Sequence, residues 1–208
     1  MDTKVIVVDY GAGNLRSVVR AVAETGATPV VTSSARDIER AGMVIVPGVG
    51  AAADTMANLQ RCGLVEVIRD YIAADRPFLG VCMGLQALMT YSEEGGRHDC
   101  LDVIPGKVVR IEADVKVPHM GWNRVFIRRQ HPIFDGIADG EYFYFVHSYY
   151  VSPDEETTIV ATTDYGVEIP AVVARGSLVA TQFHPEKSGP AGLRIYRNFV
   201  ASASLAAV

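Results

Sequence analysis

The chain has 208 residues, 49% hydrophobic and 21% charged, a balance that excludes intrinsic disorder and suits a globular protein. Its formal net charge of −5, with Arg128-Arg129 as the densest basic pair, argues against a nucleic-acid-binding surface. No stretch approaches the ~18 consecutive apolar residues of a membrane span, and the apolar run after Lys4 is shorter than a signal-peptide core.

A soluble cytoplasmic protein with one domain over residues 1–208 is therefore expected. Such a length buries roughly two-thirds of the unfolded surface. Cys62, Cys82 and Cys100 are widely spaced, odd in number and without a C-x-x-C pair. Neither a disulfide framework nor a zinc site fits that pattern, and no metal or cofactor is expected.

In chain order, Lys4–Val8 reads as a buried strand, Asp9–Gly13 as a loop, and Asn14–Glu24 as a helix with Leu15, Val18, Val19 and Val22 at helical spacing. Gly11-Ala12-Gly13 invites a dinucleotide-binding reading. Arg16 stands where the third glycine would be, however, and the strand Thr28–Thr32 ends without the acidic residue a ribose needs. A short helix (Ala35–Ala41) leads to a strand, Met43–Val46, which runs into Pro47-Gly48-Val49-Gly50, a backbone suited to presenting its own N–H groups. Helical patterns follow at Ala51–Gln60 and Leu64–Ala73. This alternation predicts an α/β fold with a central, mostly parallel sheet flanked by helices.

The stretch Phe78–Gln86, FLGVCMGLQ, is the chemical centre of the sequence. An apolar strand ends at a cysteine flanked by Gly80 and Gly84, as a sharp strand-to-helix turn requires. Cys82 would then sit near a helix N-terminus, where the dipole and free N–H groups favour thiolate. A helix is expected over Met83–Thr90. After the polar loop Glu93–Gly96 come short strands at Lys107–Ile111, Asn123–Ile127, Tyr142–Val146 and Thr158–Thr163, a small β-rich flank. Pro170–Arg175 and Leu178–Gln182 read as a hairpin around Gly176-Ser177, followed by a helix from about Pro190 to Ala201 and a small-residue tail.

The cysteine needs a base. His98 and His131 lie in polar turns, and His119 and His147 suit structural or site-lining roles. His184 stands at the end of an apolar strand with Glu186 two residues on. Such a histidine takes a thiol proton on one ring nitrogen while the carboxylate fixes the other. In an α/β sheet, parallel strands bring both residues to the same C-terminal edge.

GVCMGLQ and QFHPEKS together resemble the class I, triad-type glutamine amidotransferases. DYGAGNLRSV (Asp9–Val18), PGVG (Pro47–Gly50), PHMGWN (Pro118–Asn123), YFVHSYY (Tyr144–Tyr150) and QFHPEKSG (Gln182–Gly189) resemble, within that class, the glutaminase-subunit family of imidazole glycerol phosphate synthase.

The resemblance implies that Cys82 attacks the side-chain amide of L-glutamine, that His184 moves the proton, and that Glu186 orients His184. It implies an oxyanion site made by backbone N–H groups of Met83 and of Val49-Gly50. It assigns glutamine binding to Gln86 and Glu94, with His147, Ser148 and Tyr149 flanking the pocket. It also implies a heterodimer with a cyclase subunit that receives the ammonia in histidine biosynthesis, faced by Asn14, Trp122, Tyr144 and Lys187. Taken alone, Trp122 equally suits a core and Lys187 a solvated face.

Two departures from the family are visible. Ala51-Ala52-Ala53-Asp54 stands where a Phe-Gly pair is frequent, and Ala180-Thr181 replaces a more usual Gly-Val. The same fold is also compatible with the glutaminase of another synthase or a free-standing cysteine hydrolase. A catalytically silent regulatory subunit is the alternative of a different class.

Overall fold

The computed structural model describes residues 3–205. The elements run β1 (Lys4–Val8), α1 (Leu15–Ala23), β2 (Thr28–Thr32), α2 (Ala35–Glu39), β3 (Val44–Gly48), α3 (Ala52–Arg61), α4 (Val65–Ala73), β4 (Phe78–Cys82) and α5 (Met83–Gln86). Then follow β5 (Met89–Ser92), β6 (His98–Asp99), β7 (Ile104–Arg110), β8 (His119–Ile127), β9 (Glu141–His147), β10 (Tyr149–Pro153), β11 (Ile159–Asp164), β12 (Glu168–Arg175), β13 (Leu178–Thr181) and α6 (Gly189–Leu205). The final helix runs past Ala201, so part of the expected tail is helical; its last residues, 206–208, lie outside the described residues.

Nine strands form one sheet in the order β2-β1-β3-β4-β13-β12-β11-β8-β9. The pairs from β2 to β13 are parallel, and those from β13 through β12, β11 and β8 to β9 are antiparallel. The expected hairpin is the β12–β13 pair, in which Arg175 opposes Leu178.

The inner parallel strands are apolar on both faces because helices cover both. Val5 and Val7 pack with Ile45 and Leu79 against Val18 and Val22 of α1 and Ile195, Tyr196 and Phe199 of α6. Ile6 and Val8 point the other way, as alternation along a strand requires. They pack with Val44, Val46 and Phe78 against Ile38, Leu59, Ile68 and Tyr71 of the opposite helical layer. Each such large side chain stabilises the fold by roughly 1.5–3 kcal/mol.

One expectation needs correction. The helix after Cys82 does not reach Thr90; it ends at Gln86, and the chain turns into β5. The carbonyls just past its end are taken by a distant segment: Leu101 N–H donates to Ala87 O, and Val103 and Ile104 N–H both donate to Leu88 O. Those bonds replace the ones a longer helix would make.

The β-rich half supplies the expected small additional sheet and also lengthens the main one. Strands β8, β9, β11 and β12 extend the main sheet, while β10-β7-β5-β6 make a separate four-stranded sheet. That small sheet carries Tyr149 at the start of β10 and leads through β5 to Glu94, so it builds one wall of the site.

Candidate active site

Strand β4 ends at Cys82 and α5 begins at Met83; the chain reverses within one residue. Cys82 adopts φ +55° and ψ −104°, a conformation that side-chain-bearing residues rarely hold. The flanking glycines supply space. A Cβ on Gly80 would stand 2.7 Å from the Gly84 carbonyl oxygen, and one on Gly84 would run into the Val46 carbonyl oxygen. The elbow is thus packed backbone against backbone on β3, where Gly48 is in register with Cys82.

A helix of one turn carries only a few aligned peptide dipoles. The dipole argument for Cys82 is therefore weaker than the sequence suggested, and side-chain neighbours matter more.

The polypeptide returns to the same sheet edge at the end of β13. His184 N–H donates to Tyr144 O at 2.9 Å, and Ser188 Oγ donates to His184 O at 2.7 Å, fixing the histidine backbone. His184 Nδ1 lies 2.8 Å from Glu186 Oε1, and the two side chains are each 2% exposed. Tyr196 Oη donates to the second carboxylate oxygen of Glu186 at 3.5 Å.

Nε2 of His184 is buried, with no hydrogen-bond partner within bonding distance. Burial opposes charge on this ring, but the neighbouring Cys82 side chain and the Glu186 carboxylate outweigh it and raise the pKa to about 9. The electrostatic influence of Cys82 thus reaches His184, although their geometry is looser than a formed hydrogen bond.

Cys82 and His184 line a cavity of about 400 Å³ together with Val49, Gly50, Met83, Gln86, Glu94, His147, Ser148 and Tyr149. Every residue singled out in the sequence for the oxyanion site and for glutamine therefore meets in one place; Pro118 and Val146 complete the wall. Glu186 lies behind His184. Gln86 is 2% exposed and donates to Tyr149 O at 2.8 Å and to Gln182 Oε1 at 3.1 Å. Glu94 Oε2 accepts from Ala52 N–H at 2.9 Å, which ties the first turn of α3 to the pocket wall.

Beneath the Val49-Gly50 loop, Tyr10 Oη donates to Pro47 O at 2.9 Å. Burial pushes that phenol up to about 12, so it stays neutral and keeps donating.

Three of the four residues expected to face a partner gather at one edge. Trp122 and Tyr144 are cross-strand neighbours with ring centroids 6.2 Å apart, and Lys187 Nζ sits 5.7 Å from the Tyr144 ring. Trp122 is 56% exposed and Met120, beside it on β8, 61%, which rules out a core role for the tryptophan. Asn14 occupies the N-cap position of α1 without a side-chain capping bond.

Sequence reasoning passed over Gln182 and Tyr10. Gln182 is fully buried and its Nε2 lies 3.8 Å from Cys82 Sγ. The available signal was a lone amide at the end of an apolar strand, close to His184.

A parallel sheet that presents a cysteine elbow, and a histidine–carboxylate pair in the turn just past the adjacent strand, defines a class-I glutamine amidotransferase; the family model of that description, "Glutamine amidotransferase class-I", matches residues 6–203. Among solved structures, PurLQS of Thermotoga maritima aligns with a TM-score of 0.76 at 16% identity, covering 97% of this chain and 99% of that one. A glutamine amidotransferase of the same organism aligns with a TM-score of 0.64 at 17% identity, covering 100% and 86%. These show the fold.

Sequence relatives are much nearer. The imidazole glycerol phosphate synthase subunit HisH of Chloroflexus aurantiacus is 52% identical over 200 residues, 94% of each chain. The protein of the same name from Methanothermobacter thermautotrophicus is 48% identical over 196 residues, 94% of this chain and 97% of the relative. The chain belongs to the family of imidazole glycerol phosphate synthase HisH subunits.

Proposed function

We propose that the protein is a partner-dependent glutaminase, hydrolysing L-glutamine to glutamate and ammonia with Cys82, His184 and Glu186 as its catalytic triad. The observation that carries this reading is the 2.8 Å His184–Glu186 pair, with Nε2 unspent at the cavity that holds the Cys82 elbow.

Cys82 gives its thiol proton to His184 Nε2, Sγ attacks the side-chain carbonyl carbon of glutamine, and the carbonyl π pair moves onto oxygen. Backbone N–H groups of Met83 and of Val49-Gly50 receive that oxyanion; one such donor is typically worth ~10²–10³ in rate. As the C–N bond breaks, the His184 imidazolium gives its proton to the leaving nitrogen and a glutamyl thioester remains. Water then attacks the thioester carbon while His184 takes its proton; the C–S bond breaks, His184 returns that proton to Sγ, and glutamate leaves. Glu186 holds the ring in the tautomer these steps need. Gln86 and Glu94, with the backbone of residues 147–149, hold the amino-acid portion of the substrate, and Glu94 opposes its α-ammonium.

Ammonia lost to water at neutral pH would be protonated and useless as a nucleophile. Our reading therefore includes a cytoplasmic heterodimer in which a single glutaminase domain hands ammonia to a cyclase subunit in histidine biosynthesis. Trp122, Tyr144, Lys187 and Asn14 would face that partner, because exposed aromatic and cationic residues are favoured interface anchors. No helix among the described residues is long and apolar enough to cross a membrane.

The test is glutamate release by the chain alone, with the cyclase, and with the cyclase plus its ribotide ligand. Little activity alone, strong stimulation in the complex and loss on Cys82→Ser are expected. Full-speed hydrolysis indifferent to the cyclase would sink the proposal.

A further inference from the structure

The buried polar side chains around Tyr149 form one continuous hydrogen-bonded chain. Tyr149 O accepts from two directions, from Gln86 Nε2 at 2.8 Å and from His147 Nδ1 at 2.9 Å. On one side, Gln86 spends its second amide hydrogen on Gln182 Oε1, and Gln182 Nε2 points at Cys82 Sγ, 3.8 Å away. On the other side, His147 Nε2 lies 3.0 Å from His119 Nδ1, and His119 Nε2 lies 3.2 Å from Asn123 Nδ2. Asn123 Nδ2 also donates to Asp164 O at 2.8 Å, and its Oδ1 accepts from Arg124 N–H at 2.8 Å.

The proton on every link is determined. A carbonyl only accepts, so His147 carries its hydrogen on Nδ1 and accepts on Nε2; His119 must then donate from Nδ1 and accept on Nε2 from Asn123. The same carbonyl fixes the Gln86 amide. Turning Gln182 around would set its NH₂ against that of Gln86, so Gln182 has to present N–H, not oxygen, to the sulfur.

We propose that this chain, from Asn123 through the His119–His147 pair, the Tyr149 carbonyl and Gln86, is a positioning network that aims the Gln182 amide at Cys82 and stabilises its thiolate. The inference rests on Cys82 being the nucleophile. Gln182 is a positioning residue and does not touch the substrate.

Two observations support it. All the side chains from His119 to Gln182 are buried, so misorienting any of them strands a polar group. Both histidines must stay neutral, since a proton on either Nε2 would face another donor. Burial holds them so: it lowers His119 to about 4, with His119 stacked between Phe145 and Tyr165 (ring centroids 4.7 and 3.9 Å away). For His147, burial and then the neighbouring His119 and His184 rings outweigh the bond to Tyr149 O and lower it to about 3.

The outer end of the chain lies on β8, where His119 and Asn123 point inward and Met120 and Trp122 stand out. A body seated on Met120 and Trp122 would therefore press on the strand that holds the network.

The test uses the full chain. Imidazole ¹⁵N NMR of the unmodified protein is expected to show His119 and His147 both as Nδ1–H tautomers, unchanged between pH 8 and pH 5. Gln182→Met keeps the volume and removes the donor. Alkylation of Cys82 at pH 7, mapped by peptide mass against Cys62, is expected to slow about tenfold or more. In the complex, kcat is expected to fall by a similar factor with KM nearly unchanged. If Gln182→Met does not fold, Gln86→Met, which releases the Gln182 amide, is expected to slow alkylation likewise.

An Nε2–H tautomer at either histidine, or alkylation within twofold of wild type in a folded variant, overturns the proposal. The NMR and alkylation readouts need neither glutamine nor a partner. They therefore decide this point even if the glutaminase reading fails.

Discussion

Glu186 Oε1 stands 2.8 Å from the Nδ1 of His184, which caps the 3₁₀ turn Pro185–Lys187, and both side chains are sealed from solvent. Pro185 presets the turn that folds the carboxylate back onto the ring, since its φ is fixed near the value the turn needs. Glu186→Gln keeps the shape and removes the charge that, after the neighbouring Cys82 side chain, favours the protonated form of His184. Glutamate release should fall by at least ~10²-fold, judged by the loss when a triad carboxylate is neutralised elsewhere. Steady-state kinetics in the complex checks this; a drop below fivefold would show that Glu186 does not orient the base.

The raised pKa of His184, about 9, sets the pH dependence expected of the proposed mechanism. With His184 as the proposed proton donor to the leaving nitrogen, kcat/KM should decline as pH rises through about 9. For stability the sign is the same: His184 contributes fully below its ordinary value of 6.5, and that contribution is lost as pH climbs toward about 9. A pH–rate profile of the complex, with the cyclase assayed separately on ammonia, isolates the effect.

His119 and His147 act in the opposite sense. Their folded-state values of about 4 and about 3 lie below the ordinary 6.5. Their contribution to stability is present above pH 6.5 and is lost as pH falls through these values. Thermal melts from pH 7 to pH 4 should show a falling Tm, and His119→Gln should show a shallower fall. Parallel slopes in the two proteins would contradict this.

Gly84→Ala puts a methyl group into the Val46 carbonyl oxygen. Forcing β3 and the elbow apart should cost about 1–3 kcal/mol of stability and disorder Cys82 with it. Urea unfolding and glutaminase assay should both register the change. A variant as stable and active as the parent would mean that the elbow is not held by this contact.

Trp122→Ala should separate folding from partnership. The side chain is exposed, so unfolding should move by no more than about 0.5 kcal/mol. Affinity for the cyclase should fall by about 2 kcal/mol or more if Trp122 anchors the interface. Calorimetric titration of the variant against the cyclase distinguishes an anchor from a bystander.

The features that were legible in the sequence are local ones. Gly80, Cys82 and Gly84 announce a sharp turn by their own stereochemistry, and His184-Pro185-Glu186 carries its hydrogen-bond partner two residues away. Strand and helix alternation up to Phe78 reflects burial on both sheet faces, which apolar runs reveal directly.

What escaped depends on pairing at long range. The helix after Gln86 stops because residues 101–104 capture the carbonyls of Ala87 and Leu88. Strand β10 exists because Tyr149–Pro153 finds β7, in register from Arg110 back to Gly106. Gln182 gains its place from Gln86, 96 residues away. The clustering of Trp122, Tyr144 and Lys187 was available only through resemblance to a family, since no periodicity in the sequence joins them.

Strand β13 lies between β4 and β12, so it is the last strand of the main sheet to be synthesised, yet it occupies the sheet's interior. Cys82 and Gln182 are separated by 100 residues of chain. On the ribosome, the elbow emerges long before its base does. Until β13 and the turn beyond it follow, β4 has an unpaired edge and the cysteine has no histidine. A nascent or prematurely ended chain thus cannot consume glutamine, and the open edge of β4 gives the cell's quality-control machinery something to recognise.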